Sequence, residues 1–101
     1  MQKYLKLEGL QVSKKLLGYV LIHPTKEDFV IGINDNEMMV TTLYDARPDN
    51  AKRFKDFKAI EKFVSPLEDF LLDVAKLYDT GKQYAVEYET SISSHPIKQD
   101  E

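Results

Sequence analysis

Hydrophobic and polar residues along the first half of the chain follow the pattern of β-strands. The stretch Lys15–His23 is apolar on both faces, which is typical of a central strand covered from both sides, and Pro24 ends it. The segments Asp28–Ile33 and Glu37–Tyr44 flank Asn34–Asn36, whose residue types tolerate the backbone angles of a tight turn. We therefore predict a β-hairpin over this region.

In the second half the apolar residues recur every three or four positions, which predicts two consecutive helices. The first helix follows a cap at Asp49 or Asn50. Its apolar face comprises Phe54, Phe57, Ile60 and Val64. The second helix begins with a capping box in which Ser65 is the N-cap and Glu68 reaches back to it, with Pro66 at the first helical position. Its core stripe comprises Leu67, Phe70, Leu71, Val74 and Tyr78.

The side chains of Gln83–Thr90 alternate strictly between two faces, so this segment is predicted to be a strand with one solvent-exposed face that carries glutamates. A weaker alternation over residues 3–10 adds a strand at the start. The expected fold is a single α+β domain at residues 1–90, an antiparallel sheet of four to five strands with two consecutive helices packed on one face. Residues 91–101 are expected to form a flexible C-terminal tail.

The composition also predicts one folded domain. The chain has 101 residues, of which 43% are hydrophobic, and this length leaves no room for a second independent core. It contains no cysteine, so disulfides and cysteine-based zinc sites are excluded. The start of the chain lacks the pattern of a signal peptide, and the longest apolar block, Leu16–Ile22, is far shorter than the roughly 20 residues that cross a bilayer. We expect a cytoplasmic protein with no membrane contact.

Residues that could carry catalysis or bind a metal are sparse. His23 and His95 each precede a proline, and neither has a partner at metal-ligand spacing. The sequence has no glycine-rich phosphate loop and no nucleophile elbow. It therefore favours a binding protein without enzymatic activity, metal or cofactor.

The formal charge of −3 conceals two blocks of opposite sign. Residues 47–62 carry six basic and three acidic groups, whereas residues 63–101 carry three basic and eight acidic groups. At helical spacing the basic block forms a lysine face that points away from the phenylalanines, so it favours a solvated surface. That face comprises Lys52, Lys55, Lys58 and Lys62. Four lysines on one helix could also hold a phosphate backbone.

The acidic block supplies the leading hypothesis for function. On the second predicted helix, four carboxylates lie away from the core stripe and surround one exposed leucine. These residues are Glu68, Asp69, Leu72, Asp73 and Asp79. Such a face would fit the basic surface of a protein partner, for example one that handles nucleic acid, with the leucine as anchor and the charges steering association. The alternatives are an ordinary acidic surface, a nucleic-acid-binding module that uses the lysine face, and an assembly component that forms a homo-oligomer.

A predicted hairpin strand and helix with recurring alanine and phenylalanine occupy residues 41–63, "TTLYDARPDNAKRFKDFKAIEKF". The recurring residues are Ala51, Phe54, Ala59 and Phe63. This stretch resembles small phage and prophage accessory proteins of Gram-positive bacteria. The resemblance implies a small protein that binds and modulates a host or phage component, as inhibitors of host defence nucleases and acidic mimics of DNA do.

Overall fold

The computed structural model describes residues 5–6, 14–36 and 38–94. These residues form six β-strands, one α-helix and a short 3-10 helix. The strands are β1 (Leu5–Lys6), β2 (Lys15–Ile22), β3 (Phe29–Asp35), β4 (Val40–Asp45), β5 (Leu71–Asp79) and β6 (Tyr84–Ser93). The 3-10 helix spans Pro48–Asn50, and the α-helix, α1, spans Phe57–Val64.

The six strands form one sheet in the order β1-β6-β5-β2-β3-β4. Strand β1 is parallel to β6, and every other neighbouring pair is antiparallel. The predicted hairpin is confirmed as β3 and β4, but its turn lies later than predicted, since Asn34 and Asp35 belong to β3 and β4 begins at Val40. The side-chain oxygen of Asn36 closes its turn by accepting the amides of Met38 and Met39 at 2.8 and 3.0 Å. The predicted strands at β2 and β6 are confirmed as well.

The prediction of two consecutive helices is wrong, because the second of them is the strand β5. This strand lies between β2 and β6 and pairs with both. Leu72 and Val74 are buried on one face, and Ala75 and Leu77 on the other. A helix buries one stripe against a sheet, so burial on two opposed faces favours a central strand. The described part of the chain is thus mostly sheet, with five antiparallel strands and a single α-helix.

The residues that predicted a capping box serve the end of α1 instead. Ser65 is the C-cap of α1, and its hydroxyl donates to the carbonyl oxygen of Lys62 at 2.9 Å. Pro66 follows directly and cannot continue a helix in the regular way. The amide of Leu67 donates to the carbonyl oxygen of Val64 at 2.9 Å, and the Leu67 side chain is buried. These residues therefore form the turn that leads from α1 towards β5.

The first predicted helix is confirmed only from Phe57 onward. Asp56 is the N-cap, since its carboxylate accepts the amide of Ala59 at 2.9 Å. Residues 51–55 are not helical: Ala51 has an extended backbone, and Phe54 forms an isolated β-bridge. Lys52 and Lys55 therefore lie outside α1, and the lysine face expected along one helix is divided between two kinds of backbone.

The extended chain before α1 is hydrogen-bonded to two strands, β2 and β3, that pair with each other over one residue pair. The amide of Lys52 donates to the carbonyl oxygen of Val30 at 3.0 Å, and Phe54 exchanges two backbone hydrogen bonds of 2.8 Å with Tyr19. Gly18 allows this close approach, because an added Cβ would lie 3.0 Å from the Phe54 carbonyl oxygen and its φ is +141°.

Hydrophobic clusters occupy both faces of the sheet. The cluster under α1 comprises Leu21, Val30, Phe54, Ile60, Val64, Leu67, Leu72 and Val74. The other comprises Val20, Ile22, Phe29, Ala51, Ala75, Leu77 and Val86. Since Val20 and Leu21 are neighbours in β2, the two clusters lie on opposite faces. The core is therefore built on both sides of β2 and β5, and α1 covers one of them.

Strand β6 extends to Ser93, so residues 91–93 belong to the sheet, although a flexible tail was expected to begin there. Residues 95–101, including His95, lie outside the described residues.

Candidate functional site

A groove rich in cations lies where the extended chain before α1 meets the helix. Its volume is about 480 Å³ and it is open to solvent. Of the residues that line it, four are cationic, three are apolar, and none is acidic. They are Lys52, Arg53, Phe54, Lys55, Ala59, Lys62 and Phe63, and we call this surface the basic groove.

The backbone beneath the basic groove is held on both sides. The chain is bonded to β3 through the amide of Lys52 and to β2 through both backbone groups of Phe54. The side chain of Phe54 is 4% exposed and packs in the cluster under α1. Lys52, Arg53 and Lys55 therefore project from an anchored segment, which gives their charges a defined position.

Aromatic rings join this segment to α1. The rings of Phe54 and Phe63 meet edge to face with centroids 5.0 Å apart. The Nζ atom of Lys52 lies 5.7 Å from the centroid of Phe54 and 5.6 Å from that of Phe63. Both distances are typical of cation–π interactions, which stabilise the ammonium group above the two rings. The predicted separation of lysines from phenylalanines is therefore wrong at Lys52.

Three of the four lysines of the predicted lysine face line the basic groove, and Lys58 lies outside it. The fourth cation is Arg53, which helical spacing had not placed with the lysines. Its guanidinium carbon lies 6.0 Å from the ring centroid of Tyr84, which packs against the cluster on the other face of the sheet, so the charge of Arg53 points away from the three lysines. Neighbouring side chains of an extended segment point to opposite sides, so Lys52 and Phe54 share one side and Arg53 takes the other.

The basic groove is a positive region on an otherwise negative protein. Residues 51–64 carry five basic and two acidic groups, a net charge of +3, while the rest of the chain carries nine basic and fifteen acidic groups, a net charge of −6. One of the two acids, Asp56, caps α1. Within the described residues, no carboxylate lies at salt-bridge distance from the four cations of the groove. Their charge is available to an external anion.

The acidic face predicted on the second helix is not formed, since that segment is β5. Leu72 is 1% exposed and packs under α1, so it is not an exposed anchor. Asp73 and Asp79 lie on the opposite face of the sheet from Leu72 and about 20 Å apart along the strand. Glu68 and Asp69 precede β5 and line a different surface, beside β4.

Two of these carboxylates have local structural partners. Asp73 accepts a hydrogen bond of 2.9 Å from the hydroxyl of Ser91, its cross-strand neighbour in β6. Asp79 accepts the amide of Gly81 at 2.8 Å, which shapes the turn between β5 and β6. Each of the two carboxylates is therefore explained by the fold.

In a second charged cluster, on β5 and β6, the polar side chains pair with one another. The Nζ atom of Lys76 lies 3.7 Å from the carboxylate of Glu89, which raises the pKa of Lys76. The hydroxyl of Tyr78 donates to Glu87 at 3.2 Å. Burial, followed by this hydrogen bond, raises the pKa of Tyr78. Both glutamates have partners, so they do not extend an acidic surface.

The described residues contain no group of three or more side chains that could hold a metal ion, and no helix long and apolar enough to cross a membrane. The Nδ1 atom of His23 accepts the amides of Thr25 and Lys26 at 3.2 and 3.1 Å. This histidine therefore organises the turn between β2 and β3.

No protein-family model matches the chain, and comparisons with curated proteins and with solved structures find no match either. The resemblance to phage accessory proteins is therefore untested, and the proposal for function depends on the geometry and charge of the surface.

Proposed function

We propose that the protein binds nucleic acid through the basic groove, whose cations hold the phosphate backbone. The observation that carries this proposal is the convergence of three lysines, Lys52, Lys55 and Lys62, on one groove that has no carboxylate in its lining. Each contact between a phosphate and a lysine or arginine releases condensed counterions, and this release favours binding.

The open shape of the groove favours a polymer over a small anion. Sites for small ligands usually enclose most of the ligand surface. Here the cations come from two elements and border a groove that is open to solvent. A nucleic-acid strand can present successive phosphates to such a row of cations without being enclosed.

The aromatic residues of the groove position Lys52 and are not arranged to contact the bases of a nucleic acid. Phe54 is buried and Phe63 is half-buried, and Lys52 lies over both rings. Neither ring offers an open face for stacking with a base. Binding is therefore expected to depend on the backbone and to be largely independent of base sequence.

The proposal is tested by fluorescence anisotropy with a labelled single-stranded DNA of about 20 nucleotides. With three to four phosphate contacts, the slope of log K against log salt concentration should be about −2 to −3 between about 50 and 200 mM salt. The triple variant Lys52→Gln, Lys55→Gln and Lys62→Gln should bind at least about tenfold more weakly and show a flatter slope.

Circular dichroism of the triple variant serves as the control that its fold is intact. Absence of binding by the wild-type protein at about 50 mM salt would refute the proposal, because electrostatic contacts are strongest there. A triple variant that folds and binds as the wild type does would refute the assignment to the basic groove.

A further inference from the structure

The outer edge of β4 presents unpaired backbone groups. Strand β4 is the last strand of the sheet, so one of its edges has no neighbouring strand among those described. The amide of Asn36 donates to the carbonyl oxygen of Met39 at 3.1 Å, which sets the alternation of the β3–β4 ladder. By this alternation Val40, Thr42 and Tyr44 direct their amides and carbonyls away from β3.

This edge lacks lysine and proline, two of the features with which proteins usually prevent strand addition, and the bulge in its ladder lies on β3, between Val30 and Gly32. Strand β4 has the sequence VTTLYD. Met38 and Met39, directly before it, are 89% and 59% exposed. Methionine side chains adapt to partners of different shape, so they are common on peptide-binding surfaces.

A groove of about 410 Å³ lies along this edge. One wall is the chain from Met38 to Thr42 with Tyr44, and the other is formed by Leu67, Glu68 and Asp69. We call it the β4 groove. It has an apolar part, two carboxylates and no cation in its lining.

We propose that the β4 groove binds an extended, cationic segment of another protein, which adds as a further strand along β4. The backbone of the segment would pair with the outward groups of Val40, Thr42 and Tyr44. Alternate side chains of the segment would point to one side, where apolar groups contact the methionines and basic groups meet Glu68.

Charge complementarity selects this occupant over a second copy of the chain. Strand β4 contains no basic residue and ends at Asp45. A second β4 in the groove would therefore add a carboxylate and no cation to the two already there, and like charges that face each other weaken strand pairing. The β4 groove shares no lining residue with the basic groove, so this proposal and the proposed nucleic-acid binding can fail independently.

The test uses a peptide of about nine residues with alternating lysine and valine, matched to a second peptide with glutamate in place of lysine. Hydrogen exchange followed by NMR is the decisive readout. On addition of the lysine peptide, the amides of Val40, Thr42 and Tyr44 should become protected. The amide of Thr41, which faces β3, should not change. The glutamate peptide should protect none of them.

Matched variants separate the contribution of backbone pairing to the affinity for the peptide from the contribution of charge. Thr42→Pro removes an outward amide without breaking the ladder to β3, and it should weaken peptide binding about tenfold, while Thr42→Ala should change it less than about twofold. Glu68→Gln should weaken binding about threefold. Asp79→Asn, which removes a distant carboxylate and retains its acceptor for Gly81, should have no effect.

Three results would overturn this inference. The first is protection of Val40, Thr42 and Tyr44 that increases with protein concentration alone, which would identify a second copy as the occupant. The second is equal binding of the lysine and glutamate peptides. The third is binding of the lysine peptide without protection of these three amides.

Discussion

Two adjacent segments, 51–64 and 65–79, have opposite charge and opposite fates in the fold. The first carries five basic and two acidic groups, the second one basic and four acidic groups. Both have apolar residues at helical spacing, yet one contains α1 and the other β5. The difference shows that secondary structure decides whether the charged residues of a segment are brought together on one surface.

In α1 of the first segment the buried side chains lie on one side only. Ile60 and Val64 are buried, while Lys58, Glu61 and Lys62 are exposed, so a helix satisfies both groups. In the second segment, buried residues alternate between two faces of the sheet. Its carboxylates are consequently distributed along and before a strand, whereas Lys52, Lys55 and Lys62 of the first segment line one groove.

Among the substitutions that test this contrast, Leu72→Lys should have the largest effect on the free energy of unfolding. An exposed leucine on an acidic helix would tolerate the change, whereas the buried Leu72 of β5 would place a charge in the core. We expect a loss of more than about 4 kcal/mol in the free energy of unfolding, measured by urea denaturation.

The matched control is Leu71→Lys, one residue away on the other face and 57% exposed. It should cost less than about 1 kcal/mol. Equal tolerance of both lysines would contradict the assignment of β5.

The anchoring of the basic segment to β2 is tested by Gly18→Ala. The added Cβ would lie 3.0 Å from the carbonyl oxygen of Phe54 at a φ of +141°, so we expect a loss of about 1–3 kcal/mol in thermal or urea denaturation. Gly32→Ala, where a Cβ would meet nothing within 4 Å, should change stability by less than about 1 kcal/mol. Similar losses for both would mean that Phe54 does not approach β2 as described.

A smaller effect is expected at the start of α1. Asp56→Ala removes the acceptor of the Ala59 amide, and should cost about 1 kcal/mol of stability. Asp56→Asn retains an acceptor and should cost only a few tenths of that amount. If Asp56→Ala is neutral, the helix does not begin where the cap places it.

The smallest expected effect is the dependence of stability on alkaline pH. The raised pKa of Tyr78 means that its stabilisation is complete below the usual tyrosine value of about 10 and is lost as pH rises through the folded-state value. Denaturation midpoints should therefore fall above about pH 10, and Tyr78→Phe should reduce that fall. An unchanged pH profile in the variant would argue against the contact with Glu87.

The strands with clear alternation or flanking turn residues could be predicted from the sequence. Strand β2 is apolar on both faces, and Asn36 signals the β3–β4 turn. Strand β5 was missed because its apolar residues fit both a helical and a strand period, and only its pairing with β2 and β6 decides between them. The motif at Ser65 was misleading because the same residue types also end helices.

The basic groove could be predicted only in part. Lys52, Lys55 and Lys62 were identified as one set from their spacing, although the helix on which they were placed begins later. The bridge between Phe54 and Tyr19 is a contact between distant parts of the sequence, so no local pattern indicates it. That bridge places Lys52 and Lys55 before α1 rather than on it, at the border of the groove.

The basic groove as the nucleic-acid-binding surface is tested most directly by comparing Lys62→Gln with Lys58→Gln in the DNA titration. Both lysines are exposed on α1, but only Lys62 lines the basic groove. Lys62→Gln should reduce the magnitude of the salt slope by about 0.7 and weaken binding to single-stranded DNA, while Lys58→Gln should leave both close to the wild-type values. Equal effects of the two substitutions would contradict the basic groove as the nucleic-acid-binding surface.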